Sequence, residues 1–338
     1  MKFVSYKYES KECLGIYLNS RIFNLKDSAI QLGLKLPGKM KKFLKNFEDN
    51  LLIAKKVEDA ITAGTIKNHF NENDITLLAP VPNPTSCRDG YAFRQHVATA
   101  RRNRGVEMIP EFDQFPIFYF TNHSAIIGPG DVFVEEDHLK GLDFELEAAV
   151  VIGKEGKNIS TLDADSYIAG YMIMNDFSAR VLQMDEMKLN LGPAKGKDFA
   201  TAIGPWLVTP DELEPYKIET KFGIKYNLKM SAWHNGIQIS DGNMKDMDWT
   251  FAEIIERASY GVTLYPGDVI GSGTCGTGCY LELNGTHALE AKAKGETFTP
   301  VWFKEGDKVE LEITGLGKLI NRFVKSPNSY SILAKKKI

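Results

Sequence analysis

Proline occupies alternate positions in Pro80-Val81-Pro82-Asn83-Pro84, and no other feature constrains the fold of this chain as much. Proline lacks an amide hydrogen and has a fixed φ, so this run can neither continue a helix nor sit inside a sheet. It reads as an extended connector, and the apolar run entering it from Ile75 puts a domain boundary near residue 74. Before it, residues 2–8, 13–18 and 21–25 read as three short strands separated by turn signals. From Asp27 to Gly64 the spacing of Phe43, Phe47, Leu51, Ala54 and Val57 is helical. The expectation is a small β-rich N-terminal domain, residues 1–74, and a larger one, residues 75–338.

The larger part alternates strand patterns with Gly-Asp and Pro-Gly turns, at residues 117–121, 144–152, 206–208, 226–234, 268–271, 280–283 and 308–313. Helical patterns are confined to residues 89–104, 164–169, 179–184 and 250–259. Runs of strands with few helices between them predict an α+β fold, predominantly β, built on a mixed and largely antiparallel sheet. A formal charge of −3 excludes nucleic-acid binding by bulk electrostatics. No stretch is apolar enough for a signal peptide or a membrane span, so a cytoplasmic location without membrane or nucleic-acid partners is expected. Four cysteines, Cys13, Cys87, Cys275 and Cys279, are too few for a disulfide scaffold. Cys275 and Cys279 lack a second pair at zinc-finger spacing and read as small residues in a tight loop.

Gly271-Ser272-Gly273-Thr274-Cys275-Gly276 has the form of a dinucleotide fingerprint and follows an apolar strand. Residues 279–285 then alternate and end in Asn284-Gly285, which reads as a strand entering a hairpin and offers no helix N-terminus to a pyrophosphate. Asp143-Phe144-Glu145-Leu146-Glu147 is more informative. In a strand the three carboxylates share a face, which is either solvated or part of a seat for a hard cation. The apolar strand 169–176 ends in Asp176, and buried charges need partners. Helical phasing of residues 89–96 puts Asp89, Phe93 and His96 near one face, where His96 is either a base or a packed side chain.

Together these segments resemble the fumarylacetoacetate hydrolase family. Asp89-Gly90-Tyr91 with Arg94-Gln95-His96 is similar to its entry loop and catalytic histidine, and Glu145 with Glu147 to its paired metal glutamates. Asn175-Asp176-Phe177-Ser178-Ala179-Arg180, Gly196-Lys197-Asp198-Phe199, Gly204-Pro205-Trp206, Tyr265-Pro266-Gly267-Asp268 and Gly271-Ser272-Gly273-Thr274 follow in the family's order. The resemblance implies a mixed β-sheet and β-roll catalytic domain that acts as a homodimer.

It further implies Asp89, Glu145, Glu147 and Asp176 as ligands of Mg²⁺, with Mn²⁺ or Ca²⁺ as alternatives, and Lys197 and Thr201 beside them. His96 would be the base, Glu282 its orienting partner, and Lys197 a third catalytic group. Tyr91, Arg104, Tyr119, Arg180, Gln183 and Thr274 would contact substrate. The implied activity is hydrolysis of a C–C bond in a β-diketone acid, an acylpyruvate or a fumarylacetoacetate-like 2,4-dioxo acid. Such cleavage expels a carbanion, for which a divalent cation is the electron sink, while His96 takes a proton from water. A family tyrosine falls on Met187 or Lys188 here, and a Pro-rich insertion shrinks to Cys275-Gly276-Thr277-Gly278, changes that favour a different acyl group. The alternative is a metal-dependent decarboxylase, isomerase or hydratase of a 2-oxo acid.

Overall fold

A computed structural model describes residues 1–335, so the last three residues of the expected second domain lie outside the described residues. The chain opens with the expected meander, β1 (Lys2–Tyr8), β2 (Lys11–Leu18) and β3 (Arg21–Asn24). Helices α1 (Leu25–Gln31), α2 (Met40–Leu44) and α3 (Phe47–Thr62) follow. Beyond the Pro-rich connector come β4 (Cys87–Gly90), α4 (Arg94–Asn103), β5 (Phe118–Phe120), β6 (Gly130–Val134), β7 (Leu146–Ile152) and β8 (Ile168–Asp176). Next are α5 (Arg180–Met187), α6 (Ala194–Lys197), β9 (Thr201–Val208), β10 (Lys229–His234), β11 (Ile237–Asn243) and α7 (Phe251–Ser259). The last are β12 (Val269–Gly271), α8 (Tyr280–Lys294), β13 (Lys308–Ile313) and β14 (Gly317–Lys325).

The main sheet runs β3-β2-β1-β9-β8-β7-β12-β4-β5, and a second runs β11-β10-β13-β14-β6. Along the main path only β12 and β4 pair in parallel, so the fold is the mixed, largely antiparallel α+β arrangement that the strand patterns predict. β1 pairs with β9, Phe3 opposite Leu207, so the N-terminal meander extends the same sheet as the later strands. β7 and β8 are buried along their whole length, and their alternate residues feed two cores. Leu146, Ala148 and Val150 pack with Ile254, Leu311 and Phe323 on one face. Ala149, Val151 and Met172 meet Phe43 and Val57 of the N-terminal helices on the other. Each large apolar side chain buried there is worth about 1.5–3 kcal/mol.

Three local expectations are corrected. Asp89 is not helical: it lies on the four-residue β4 beside Gly271 of β12, and the helix begins only at Arg94. That start is fixed from far away, because the Arg94 amide donates to the Asp248 carboxylate at 2.8 Å. Residues 280–283 are the first turn of α8 rather than a strand. Asn284-Gly285 is no hairpin turn but a close approach inside that helix, where a Cβ on Gly285 would sit 2.6 Å from Asn103 Nδ2. Residues 164–169 form only the end of one short helical turn and a 3-10 turn before β8 starts at Ile168.

Candidate active site

Strand register gathers the acidic residues. Asp89 lies opposite Gly271, Gly271 opposite Ala149, and Glu147 opposite Met174, two residues before Asp176. Glu147 and Asp176 thereby continue the face that packs on the N-terminal helices. Glu145 precedes β7, where the Asn175 side chain accepts from its amide at 3.0 Å. Asp89, Glu145, Glu147 and Asp176 each bring an oxygen within 4.8 Å of the others, and all four are buried. Asp143 does not join them, because the strand is interrupted between it and β7. Its carboxylate accepts from Arg180 Nε at 2.7 Å and from the amides of Tyr280 and Leu281 at 2.7 and 2.9 Å.

The charges in this interior do not balance. Lys197 Nζ bonds Glu145 at 2.5 Å and Asp176 at 2.7 Å, and Arg180 Nη2 bonds Glu145 at 2.8 Å. Burial works against the Glu145 charge, but Lys197 and Arg180 outweigh it and hold its carboxyl at about 2. No cation among the described residues pairs with Asp89; burial, reinforced by Asp176, pushes it up to about 7. Burial, then Asp89, likewise raises Glu147 well above the carboxylate range, and both Glu147 oxygens lack a hydrogen-bond partner among the described residues. Orphaned buried oxygens in an all-oxygen donor set fit a hard divalent cation. Gly271 leaves the room, since a Cβ there would stand 2.6 Å from Asp89 Oδ1 and 2.9 Å from Glu147 Oε2.

Beside the cluster, His96 on the first turn of α4 meets Glu282 on the first turn of α8, Nδ1 to Oε2 at 2.6 Å. The other Glu282 oxygen accepts from the Thr277 amide at 3.0 Å. Asn103 ties the two helices together by donating to the Glu282 carbonyl at 2.9 Å. Tyr91 stands edge-on to His96 with ring centroids 5.9 Å apart, and burial pushes its hydroxyl up to about 12.

The residues expected to contact substrate divide. Tyr91 and the buried Thr274 flank the dyad and the start of β7, Thr274 donating to the Leu146 carbonyl at 3.4 Å. The Tyr119 hydroxyl donates to Asp176, and Thr201 Oγ1 to the same carboxylate at 3.3 Å. Arg180 is occupied by Asp143, Glu145 and Gln183 Oε1, the last at 2.8 Å, so it and Gln183 brace the cluster. Arg104 is exposed at the end of α4, its Nε donating to the Ala100 carbonyl at 3.2 Å. Sequence reasoning missed Cys279, which shares a cluster with His96 and Glu282. The glycine-rich fingerprint does precede a helix, but Asp143 already fills the amides at its N-terminus, which removes the usual seat of a pyrophosphate.

Residues 85–324 match the model of the fumarylacetoacetate hydrolase C-terminal domain, and the chain belongs to the fumarylacetoacetate hydrolase family. It is 33% identical over 294 residues to the mitochondrial oxaloacetate tautomerase Fahd2a of Rattus norvegicus, across 86% of this chain and 80% of that protein. To oxaloacetate tautomerase YisK of Bacillus subtilis (strain 168) it is 30% identical over 261 residues, covering 75% and 74%. The maleylpyruvate hydrolase of Sphingobium sp. SYK-6, solved with manganese(II) ion and pyruvate, shares the fold at a TM-score of 0.67 and 20% identity, covering 96% of this chain and 100% of that one. All four cysteines are free, and no helix among the described residues is long and apolar enough to cross a membrane.

Proposed function

We propose that this protein is a divalent-metal-dependent tautomerase that interconverts the enol and keto forms of a short 2-oxo dicarboxylic acid of the oxaloacetate type. The observation that carries the reading is the 2.6 Å bond from His96 Nδ1 to Glu282 beside the carboxylate cluster. It fixes the imidazole in one tautomer and makes Nε2 the atom that accepts and returns a proton. Relatives at 30–33% identity that carry the name oxaloacetate tautomerase support the choice of reaction.

Asp89, Glu145, Glu147 and Asp176 would hold the cation, for which Mg²⁺ suits the donor set, with Mn²⁺ or Ca²⁺ as alternatives. When bound, the cation polarises the 2-oxo group and acidifies the adjacent C–H. In the keto-to-enol direction His96 takes the proton from that carbon and delivers it to the oxo oxygen, so one C–H bond breaks and one O–H bond forms. Lys197, clamped between Glu145 and Asp176, offsets one of the four carboxylate charges and lessens the repulsion of an anionic substrate. Burial of His96 behind Tyr91 shields the proton in transit from exchange with bulk water.

The second reading is hydrolysis of an acylpyruvate, favoured by the same imidazole, which can take its proton from water instead of carbon. The purified protein is offered oxaloacetate and a panel of acylpyruvates, with Mg²⁺ or a chelator. Faster loss of the ultraviolet absorbance of enol-oxaloacetate, with no pyruvate formed, supports the tautomerase. Release of pyruvate and a free acid from an acylpyruvate moves the assignment to hydrolysis. Activity on neither class overturns both readings. The homodimer implied by the resemblance belongs to the same proposal, and sedimentation of the purified protein tests it.

A further inference from the structure

Next to the all-oxygen cluster lies a second one of different chemistry. His96, Cys279 and Glu282 each offer one ligand atom, a nitrogen, a sulfur and an oxygen, all within 4.8 Å of one another, and all three side chains are buried. Cys279 is the residue immediately before α8, and Glu282 lies on the first turn of that helix, so a rigid element fixes their spacing. His96 arrives on α4, which Asn103 binds to α8. Cys279 is a free, buried cysteine. The three residues escape any zinc-finger spacing because more than half the chain separates His96 from Cys279. Thiolate and imidazole select soft and borderline cations, whereas an oxygen set selects hard ones.

We propose that His96, Cys279 and Glu282 form a site for a soft divalent cation, Zn²⁺ or Cd²⁺, whose occupation removes His96 from proton transfer. Binding breaks the S–H bond of Cys279, releases that proton to solvent and forms a metal–sulfur bond. One imidazole nitrogen and one Glu282 oxygen fill two further positions, and water fills the fourth of a tetrahedral shell. The ion replaces the hydrogen bond between His96 and Glu282: Nδ1 becomes the metal ligand and its proton moves to Nε2, the atom that would otherwise accept one. Mg²⁺ in the carboxylate cluster and the soft ion at the dyad therefore act in opposite senses. Binding itself does not depend on the reaction catalysed; the inhibition rests on the proton-transfer role proposed above for His96.

The test titrates the Mg²⁺-saturated full-length protein with Cd²⁺ while following the ultraviolet sulfur-to-cadmium charge-transfer band and the activity together. The expected result is a band that saturates at one equivalent, with activity lost over the same range and recovered on adding a dithiol. Cys279→Ser removes the band and raises the Cd²⁺ concentration for half-inhibition by about tenfold or more. Cys13→Ser, at the partly exposed thiol, changes neither. His96→Gln keeps the band but shifts its midpoint by about tenfold or more, which reads the site even where Cys279→Ser fails to fold. No band in the wild type, or an undiminished band in Cys279→Ser, overturns the site. A full band with activity unchanged overturns the inhibition, and with it the role of His96, while the site stands.

Discussion

Asp143 bonds Arg180 at 2.7 Å and with the same carboxylate holds the first two amides of α8, so one side chain links the helix carrying Glu282 to one of the two cations bonded to Glu145. Arg180→Met leaves both Asp143 and Glu145 without that partner in the interior. Removing one member of a buried ion pair costs about 3–5 kcal/mol, and urea denaturation is expected to show a loss of that size. Asp143→Asn, which keeps an acceptor for α8, is expected to lose less.

His96→Ala is expected to lower turnover by about 10²–10⁴-fold with Mg²⁺ affinity unchanged, because the carboxylate cluster stays intact. Glu282→Gln should lose less, since it still accepts from the Thr277 amide while holding the ring less firmly. The double variant should resemble His96→Ala alone, as groups acting as a unit are not additive. Steady-state kinetics beside calorimetric Mg²⁺ titration separate the two quantities.

The cation seat has its own signature in melting. Wild-type protein is expected to gain about 2.7 kcal/mol at Mg²⁺ a hundredfold above its dissociation constant. Glu147→Gln should lose that gain yet melt higher than wild type in chelator, because one of the mutually repelling carboxylates is gone. Gly271→Ala should lose the gain too and be less stable in both conditions, by about 1–3 kcal/mol from crowding Asp89 and Glu147. Scanning calorimetry with Mg²⁺ and with chelator distinguishes the three proteins.

Away from the site, Asp137 accepts from Lys140 Nζ at 2.6 Å, Ser331 Oγ at 2.8 Å and the Leu333 amide at 3.0 Å, which fastens the C-terminal segment. Burial opposes its charge, but these donors win and hold its carboxyl down at about 2. A depressed folded-state value means the contribution is complete above about pH 5, where the unfolded carboxyl is ionised, and fades as pH falls toward 2. Asp137→Asn is therefore expected to cost on the order of 1–2 kcal/mol at neutral pH and to converge on wild type near pH 2. Thermal melts across that range show the convergence or its absence.

The sheet-dominated fold was legible because strands such as β7 and β8 carry long apolar runs between clear turn signals, and the placement of Glu147 and Asp176 followed from their alternation. β14 was harder to read, since its inward positions include Asn321, whose side chain donates to the carbonyls of Gly128 and Gly130 instead of joining an apolar row. Asp89 was misread as helical because a four-residue strand has too few residues to show a period, and its partner lies far along the chain. The start of α8 alternates like a strand, and the carboxylate that caps it comes from Asp143, which no local window contains. Glu282 and its link to His96 were legible only through the family resemblance, and the third member of that group, Cys279, through nothing in the sequence.

The parallel pairing of β4 with β12 bears on the life of the native state. It sets Asp89 beside Gly271, residues more than half the chain apart, whereas Glu147 and Asp176 come from a local antiparallel pair and Glu145 from the residue just ahead of it. Contacts of such long sequence separation form late, after the entropy of closing the intervening loop has been overcome. The cation seat is then incomplete in the folding transition state, and a bound ion stabilises only the finished molecule. Its effect falls on the rate of unfolding: the ion lengthens the native lifetime and leaves the refolding rate unchanged.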